Sequence, residues 1–461
     1  MIADLKPYPE YKEWDLPWLD SVPKHWDMAP NRALMKEQRD KVGEKARDYT
    51  LLSLTLRGVI ARDMVNPKGK FPAQFNAYKV VRPNDFVFCL FDIDETPRGV
   101  GLSPHNGMIT GAYDVFSPTH RINPRFLYYY YLFIDDGKLM KPYYTGLRKT
   151  IQRGVFASLK APLPPPAEQA AIVRFLDHWN GRLEKAIRSK RRVIALLQEQ
   201  KQAIIHRAVT RGLDPNVKLK DSGIPWLGEI PEHWEARKLG SLFLRHGSGT
   251  TPSGDAYYGG GVPWVMSGDL KDGILATTKR TVTESALNDF SALKLHPKGS
   301  LLVAMYGATI GKTGVLNMAA CSNQACCALA SPRPQVNPVF IQSIVIMARP
   351  HLMQQAYGGG QPNINAEVVR SLRVPLPPLV EQDSILAYVD RATAPIGTAI
   401  ARFEREITLL REYRTRLTAD VVTGKLDVRA AAAQLPEEAE EEPLPDPELP
   451  EEETEMEEVE G

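Results

Sequence analysis

The sequence predicts an α+β fold: two mixed α/β globular domains separated by two long antiparallel helices that form a coiled coil. Three observations carry this prediction. The chain is written twice, with an internal repeat of about 210 residues. Each copy ends in roughly 40 residues of helical periodicity. The stretch ahead of each helix has scattered Gly and Pro around short β-rich runs, as a sheet-containing domain does.

The repeat is read from matching blocks. Leu16-Pro17-Trp18-Leu19 and Val22-Pro23-Lys24-His25-Trp26 recur as Ile224-Pro225-Trp226-Leu227 and Ile230-Pro231-Glu232-His233-Trp234. Further on, Leu159-Lys160-Ala161-Pro162-Leu163-Pro164-Pro165 with Glu168-Gln169 matches Leu372-Arg373-Val374-Pro375-Leu376-Pro377-Pro378 with Glu381-Gln382. Thr210 and Leu213-Asp214 then match Thr423 and Leu426-Asp427. The register holds without a gap across the whole second block.

In chain order, residues 1–165 form the first globular domain, with Phe86 to Phe91 as its clearest β run. Residues 166–214 form the first long helix. There Ile172, Phe175, Leu176, Trp179, Leu183, Ile187, Ile194, Leu197, Ile204 and Ile205 recur mostly at threes and fours. Residues 215–377 form the second globular domain, with Leu301 to Met305 as a β run. Residues 378–428 form the second helix, striped by Ile385, Tyr388, Val389, Ile396, Ile400, Phe403, Ile407, Leu410 and Leu417. Pro395 should kink or break it. About 40 helical residues span about 60 Å, and each apolar stripe is satisfied if the helices pair. Antiparallel pairing gives the duplication a pseudo-two-fold axis, with a globular domain expected at each end of a rod.

Residues 429–461 are an acidic tail rich in Glu and Pro, expected to be disordered. From Glu437 onward it holds 14 acidic residues and no Lys or Arg, so a formal net charge of +2 hides a basic body. Without the tail there are 57 basic against 41 acidic residues, a net +16. Such a body is the footprint of a nucleic-acid binder. Solubility is the plain reading of the tail, and DNA mimicry the sharper one. Cys89, Cys321, Cys326 and Cys327 form no Cys-x-x-Cys pair, which points to reduced structural thiols rather than zinc. Met1 to Trp14 carries Asp4, Glu10 and Glu13 with no apolar run, and no stretch reaches the length of a membrane span. A cytoplasmic protein is expected.

Signals for chemistry are weak. Gly307-Ala308-Thr309-Ile310-Gly311-Lys312-Thr313 has three residues, not four, between its first Gly and the Gly-Lys-Thr of a phosphate loop. The double prolines are preceded by Leu and followed by Pro166 or Leu379, so neither is the Asp/Asn-Pro-Pro-Tyr/Phe motif of an adenine methyltransferase. Asp92-Ile93-Asp94-Glu95 reads as a solvated turn. His25 and His233, recurring beside Trp, suit packing better than catalysis. Each Glu-Gln pair should cap or orient its helix start.

The order of globular domain, Pro-Leu-Pro-Pro, Glu-Gln, long helix and Thr-Gly, given twice, resembles the specificity subunit of type I restriction–modification enzymes. The second copy is the closer match, with Gly358-Gly359-Gly360-Gln361-Pro362-Asn363-Ile364-Asn365 and Val422-Thr423-Gly424-Lys425. The first copy departs from the pattern at Thr210-Arg211-Gly212 and Leu147-Arg148-Lys149-Thr150-Ile151. The resemblance covers residues 14 to 428. It implies two target-recognition domains that each read half of a split site in double-stranded DNA, with the helices as a ruler. It also implies two modification subunits that methylate adenines with S-adenosylmethionine. Restriction subunits using ATP and Mg can join them. No cofactor or metal is expected on this chain, and no catalysis. The other readings are a self-contained fused restriction–modification enzyme and a structural coiled-coil protein with basic protein-binding ends.

Candidate DNA contacts are drawn from polar, loop-like segments. In the first copy these are Lys141, Tyr143, Arg148, Lys149, Gln152 and Arg153. Lys and Arg beside Gly suit phosphates, and Arg also pairs bidentately with guanine. In the second copy Gln361, Asn363 and Asn365 offer amides for adenine edges or backbone oxygens. Thr250, Thr251 and Tyr257 flank glycines that allow close approach, and Lys312 sits in a basic turn. Arg57 and Arg62 are weaker candidates.

Overall fold

The computed structural model describes residues 5–63, 75–358 and 362–436. Residues 429–436, assigned above to the disordered tail, are instead ordered: Arg429–Ala433 is a short helix whose Ala431 and Ala432 pack into the core of the first unit. The acidic stretch from Glu437 and the candidate Gln361 lie outside the described residues. Two compact units result, one of Met1–Arg192 with Phe403–Gly461 and one of Val193–Arg402. Each unit joins a sheet domain to the start of the long helix that follows it and to the end of the other long helix.

In the first unit, alternating buried runs pair into a four-stranded antiparallel sheet. Its order is Met35–Gln38, Asp114–Pro118, Phe86–Phe88, Val100–Leu102. The helix Pro124–Asp136 packs on it. Asn123 caps that helix by accepting from the Arg125 and Phe126 amides, and Pro124 sits at its first position. Between helix and sheet lies an aromatic core in which Phe88 meets Phe156 at 4.8 Å and Tyr131 at 5.0 Å between ring centroids. The strand Asp27–Pro30 pairs with Lys160–Leu163 and so fastens the beginning of the domain to its end.

The second unit repeats this plan in a very different sequence. Its main sheet runs Phe243–Ser248, Cys326–Pro332, Leu301–Ala304, Thr313–Leu316, Gly273–Leu275, antiparallel except for the last pair. Asn337 and Pro338 start the covering helix Pro338–Met347 as Asn123 and Pro124 do in the first unit. Glu235–Lys238 pairs with Arg373–Leu376. A three-stranded sheet centred on Tyr258–Val265 is added, with Trp264 buried in it. All four cysteines are buried and unbridged, and burial pushes the thiols of Cys321, Cys326 and Cys327 up to about 12.

The predicted long helices run Pro166–Arg211 and Leu379–Val422. In the first unit they are antiparallel, because Glu184 pairs with Arg414 at 3.0 Å while Lys190, further along, pairs with Glu406 at 2.5 Å. Ile172, Phe175 and Leu176 share one core with Leu417, Val421 and Val422. In the second unit Ala208 and Val209 share a core with Ile385. Pro395 does not break its helix. A missing amide removes one intrahelical bond, and the buried Ile385, Ile396 and Ile407 on either side hold the flanking turns in place.

The Glu-Gln pair does more than cap. Gln169 is buried: its amide donates to the Pro164 carbonyl at 2.8 Å and its oxygen accepts from the Asn123 amide at 2.6 Å. Gln382 repeats both bonds, to Pro377 and from Asn337, at 2.8 Å each. Glu168 accepts from Trp26 Nε1 at 2.8 Å and Tyr8 Oη at 2.5 Å, with His25 Nε2 at 2.8 Å from its other oxygen. Glu381 meets His233 at 2.9 Å, but Trp234 Nε1 has no partner among the described residues.

Each long helix stops at a left-handed glycine, Gly212 at φ +71 and Gly424 at φ +74. A Cβ on Gly424 would lie 2.4 Å from Pro23 Cδ and 3.1 Å from Trp26. Gly424→Ala should therefore cost the left-handed penalty of about 1–2 kcal/mol and a further 1–3 kcal/mol of overpacking. Gly146→Ala, at φ +71 with nothing within 4 Å, should cost only the first. Urea unfolding midpoints of the two variants check this difference.

Candidate nucleic-acid interface

At one end of each main sheet the two units share a backbone frame. In the first unit the Ile151 amide donates to the Leu90 carbonyl at 2.8 Å, where the strand Phe86–Phe88 has run out into a loop. Thr145 and Thr150 exchange both backbone bonds at 2.9 Å, and the Asp92 amide donates to Arg148 at 2.8 Å. In the second unit Ile364 donates to Met305 at 2.9 Å, and Tyr357 and Asn363 exchange bonds at 3.0 and 2.8 Å. Gly307 donates to Pro362 at 2.8 Å. Four bonds correspond one for one, yet the side chains mounted on them differ.

On the first frame the candidates are held by carboxylates. Arg148 sits 2.9 Å from Asp92 and 5.0 Å above the Phe91 ring. Lys149 meets Asp94 at 3.3 Å and Glu95 at 3.8 Å, and Lys141 meets Asp94 at 3.7 Å. Asp92-Ile93-Asp94-Glu95 is therefore no mere solvated turn. It neutralises the basic loop opposite, and Ile93 is buried under it. Arg153 pairs with Asp114 at 2.7 Å, beside the buried Lys79 at 3.2 Å from the same oxygen. Tyr143 packs edge-on to Trp18, and Gln152 is exposed at the start of the short helix Arg153–Ser158. Arg57 is exposed in the turn between two short strands, apart from this frame in the chain.

The second frame is uncharged. An open cleft of about 370 Å³ is lined by Ser248, Tyr306, Gln324, Tyr357, Asn363 and Asn365, together with Met305, Ile364 and Ala366. Four loops bring these residues to one sheet end. Asn365 accepts from the Val368 amide at 2.9 Å and so caps the helix Ala366–Ser371. Asn363 Oδ1 is buried and has no hydrogen-bond partner among the described residues. Thr251 donates to Gln324 Oε1 at 2.8 Å, which fixes the amide at the cleft. The chain must pass close here: a Cβ on Gly249 would lie 1.6 Å from the Ser322 carbonyl oxygen. Thr250 offers its carbonyl to Trp264 at 3.2 Å, and Tyr257 lies apart, bonded to Asp289 at 2.9 Å.

The turn Gly307–Thr313 cannot cradle a phosphate. Its amides are spent internally, from Ile310 to Gly307, Gly311 to Ala304 and Lys312 to Thr309. The Thr313 amide and hydroxyl both turn to Asp272. The Lys312 side chain is half-buried in this turn. Among the described residues no group of three or more His, Cys, Asp or Glu is placed to hold a metal ion. No described helix is long and apolar enough to cross a membrane.

The profile of the type I restriction modification DNA specificity domain matches residues 110–190 and 231–405, more than half of the chain. The chain belongs to this family. Similar proteins include the putative type I restriction enzyme MjaX specificity subunit of Methanocaldococcus jannaschii, 23% identical over 317 residues. That alignment covers 67% of this chain and 70% of the relative. The MjaVIII specificity subunit of the same organism is 25% identical over 288 residues, covering 60% and 65%. The EcoR124I/EcoR124II specificity subunit of Escherichia coli is 21% identical over 268 residues, covering 55% and 60%. The fold is shared with a solved chain from work on complex assembly and conformational transition of the type I R-M system. That match has a TM-score of 0.60 at 17% identity, and it covers 88% of this chain and 99% of that one.

In this specificity-family chain, sequence reading singled out Asn363, Asn365 and Thr251 but not Gln324, Tyr306 or Tyr357. Only the fold brings these together. Their one sequence signal was that Tyr306 opens the turn whose spacing falls one residue short of a phosphate loop. The geometry also separates structural from available charge. Asp114→Ala takes the carboxylate from the buried Lys79, leaving it the Tyr113 carbonyl, and should destabilise the protein by about 3–5 kcal/mol. Arg148→Ala removes the exposed partner of Asp92 and should cost about 1 kcal/mol or less. Chemical denaturation of the two variants checks the order.

Proposed function

We propose that this chain reads the two halves of a split target in double-stranded DNA, one with each unit, and leaves the chemistry to partner subunits. The observation that carries this is the duplicated frame: four matching backbone bonds hold different side chains in the two units. A device for two unlike half-sites needs that combination of constant scaffold and variable surface. Family membership and the net +16 of the body outside the tail support it.

Two modification subunits are the partners of this reading, methylating adenines with S-adenosylmethionine bound on themselves. Restriction subunits with ATP and Mg can join the same assembly, for which the cytoplasm is the expected compartment. Exposed apolar residues on the long helices suit subunit packing, with Val193 and Leu196 on the first and Leu409 and Tyr413 on the second. A fused enzyme is disfavoured because the duplicated reader accounts for nearly every residue from 14 to 428, and a purely structural protein predicts no DNA target.

The experiment is a map of methylated adenines across the host genome by direct long-read sequencing, with the gene intact and deleted. Deletion should remove one motif with two short defined halves and a fixed gap. Exchange of residues 235–370 for those of a relative should change one half only. An unchanged methylation pattern on deletion would overturn the proposal.

A further inference from the structure

Which atoms of the second unit meet the bases follows from the chemistry of its cleft. The six polar residues that line it offer hydroxyls, phenols and carboxamides, and none is charged. Phosphate binding calls for cations or converging amides. Here Arg245 and His246, on the strand that ends at Ser248, and Lys312, in the turn that Tyr306 opens, flank the cleft in sequence rather than line it. Neutral donors and acceptors beside exposed tyrosines suit base edges instead. Tyr357 is 58% exposed and Tyr306 38%.

Gln324 is the residue best prepared for such a contact. It is exposed at the tip of the turn before the strand Cys326–Pro332. Thr251 holds its Oε1 at 2.8 Å and thereby aims the amide. The oxygen keeps a second lone pair and Nε2 keeps its protons. A carboxamide so fixed matches adenine in the major groove, accepting from N6 and donating to N7. Asn363, whose Oδ1 is buried without a partner among the described residues, brings a second carboxamide to the same cleft.

We infer that this cleft is the base-reading surface of the second unit, with Gln324, oriented by Thr251, selecting an adenine in one half of the target. The inference rests on the proposed function and adds to it a site, a base and a positioning residue. Thr251 acts through Gln324 and touches no base itself.

The test uses the full chain with its partner subunits in a host, read by long-read mapping of methylated adenines. Gln324→Glu keeps size and removes the Nε2 donor, leaving an acceptor that suits the cytosine N4 amine. One position of the half assigned to residues 235–370 should shift from adenine toward cytosine. Thr251→Ala should relax that same position, discrimination falling by about 5- to 150-fold. Both side chains are exposed, so neither change threatens the fold. A wild-type motif kept unchanged by both variants overturns the cleft alone. So does a change confined to the other half. A wild-type chain that directs no bipartite motif overturns the proposed function as well.

Discussion

Two buried carboxamides, Gln169 and Gln382, sit where every part of each unit converges. Each binds the carbonyl of the second-last proline before its helix and the amide of the asparagine that caps the sheet-covering helix. A buried carboxamide left unpaired costs about 1–3 kcal/mol, so its bonds set the angle between sheet and helix rather than merely decorate it. The adjacent Glu168 draws Trp26, Tyr8 and His25 to the same point, so the first residues of the domain are fixed to its last. Loop positions at the sheet end follow from that rigidity.

The closing of each unit by the far helix has the same origin. Gly424 packs on Pro23 and Trp26, and Gly212 on Trp234 and Glu381. A glycine that ends a helix is thus also the floor under a tryptophan. Neither unit is complete from one half of the sequence, which explains why the duplication keeps its motifs at the ends of the helices and at the opening of each domain. Between those places the two copies have diverged, and the shared frame survives because backbone bonds do not depend on side-chain identity.

Divergence of side chains on a constant frame is what separates the two units chemically. The first mounts Arg148, Lys149 and Lys141 against Asp92, Asp94 and Glu95. Exposed pairs of this kind are weak, so DNA can compete for the cations. The second mounts amides, phenols and a hydroxyl around an open cleft. One surface is suited to exchange ion pairs and the other to exchange hydrogen bonds.

By itself the sequence determined the duplication and both long helices, because periodicity and repeated proline blocks are local consequences of residue type. It also placed Asn363, Asn365 and Thr251 on polar loops. Tertiary structure alone decided the rest. Proline's local cost at Pro395 was outweighed by buried isoleucines on both sides. Carboxylates more than 50 residues away in the chain claimed Arg148 and Lys149. Gln324 gained a purpose only when strand pairing carried its turn beside Thr251 and Asn363. Contacts between distant segments leave no periodic mark, so residues joined only by the fold could not be recognised before it was known.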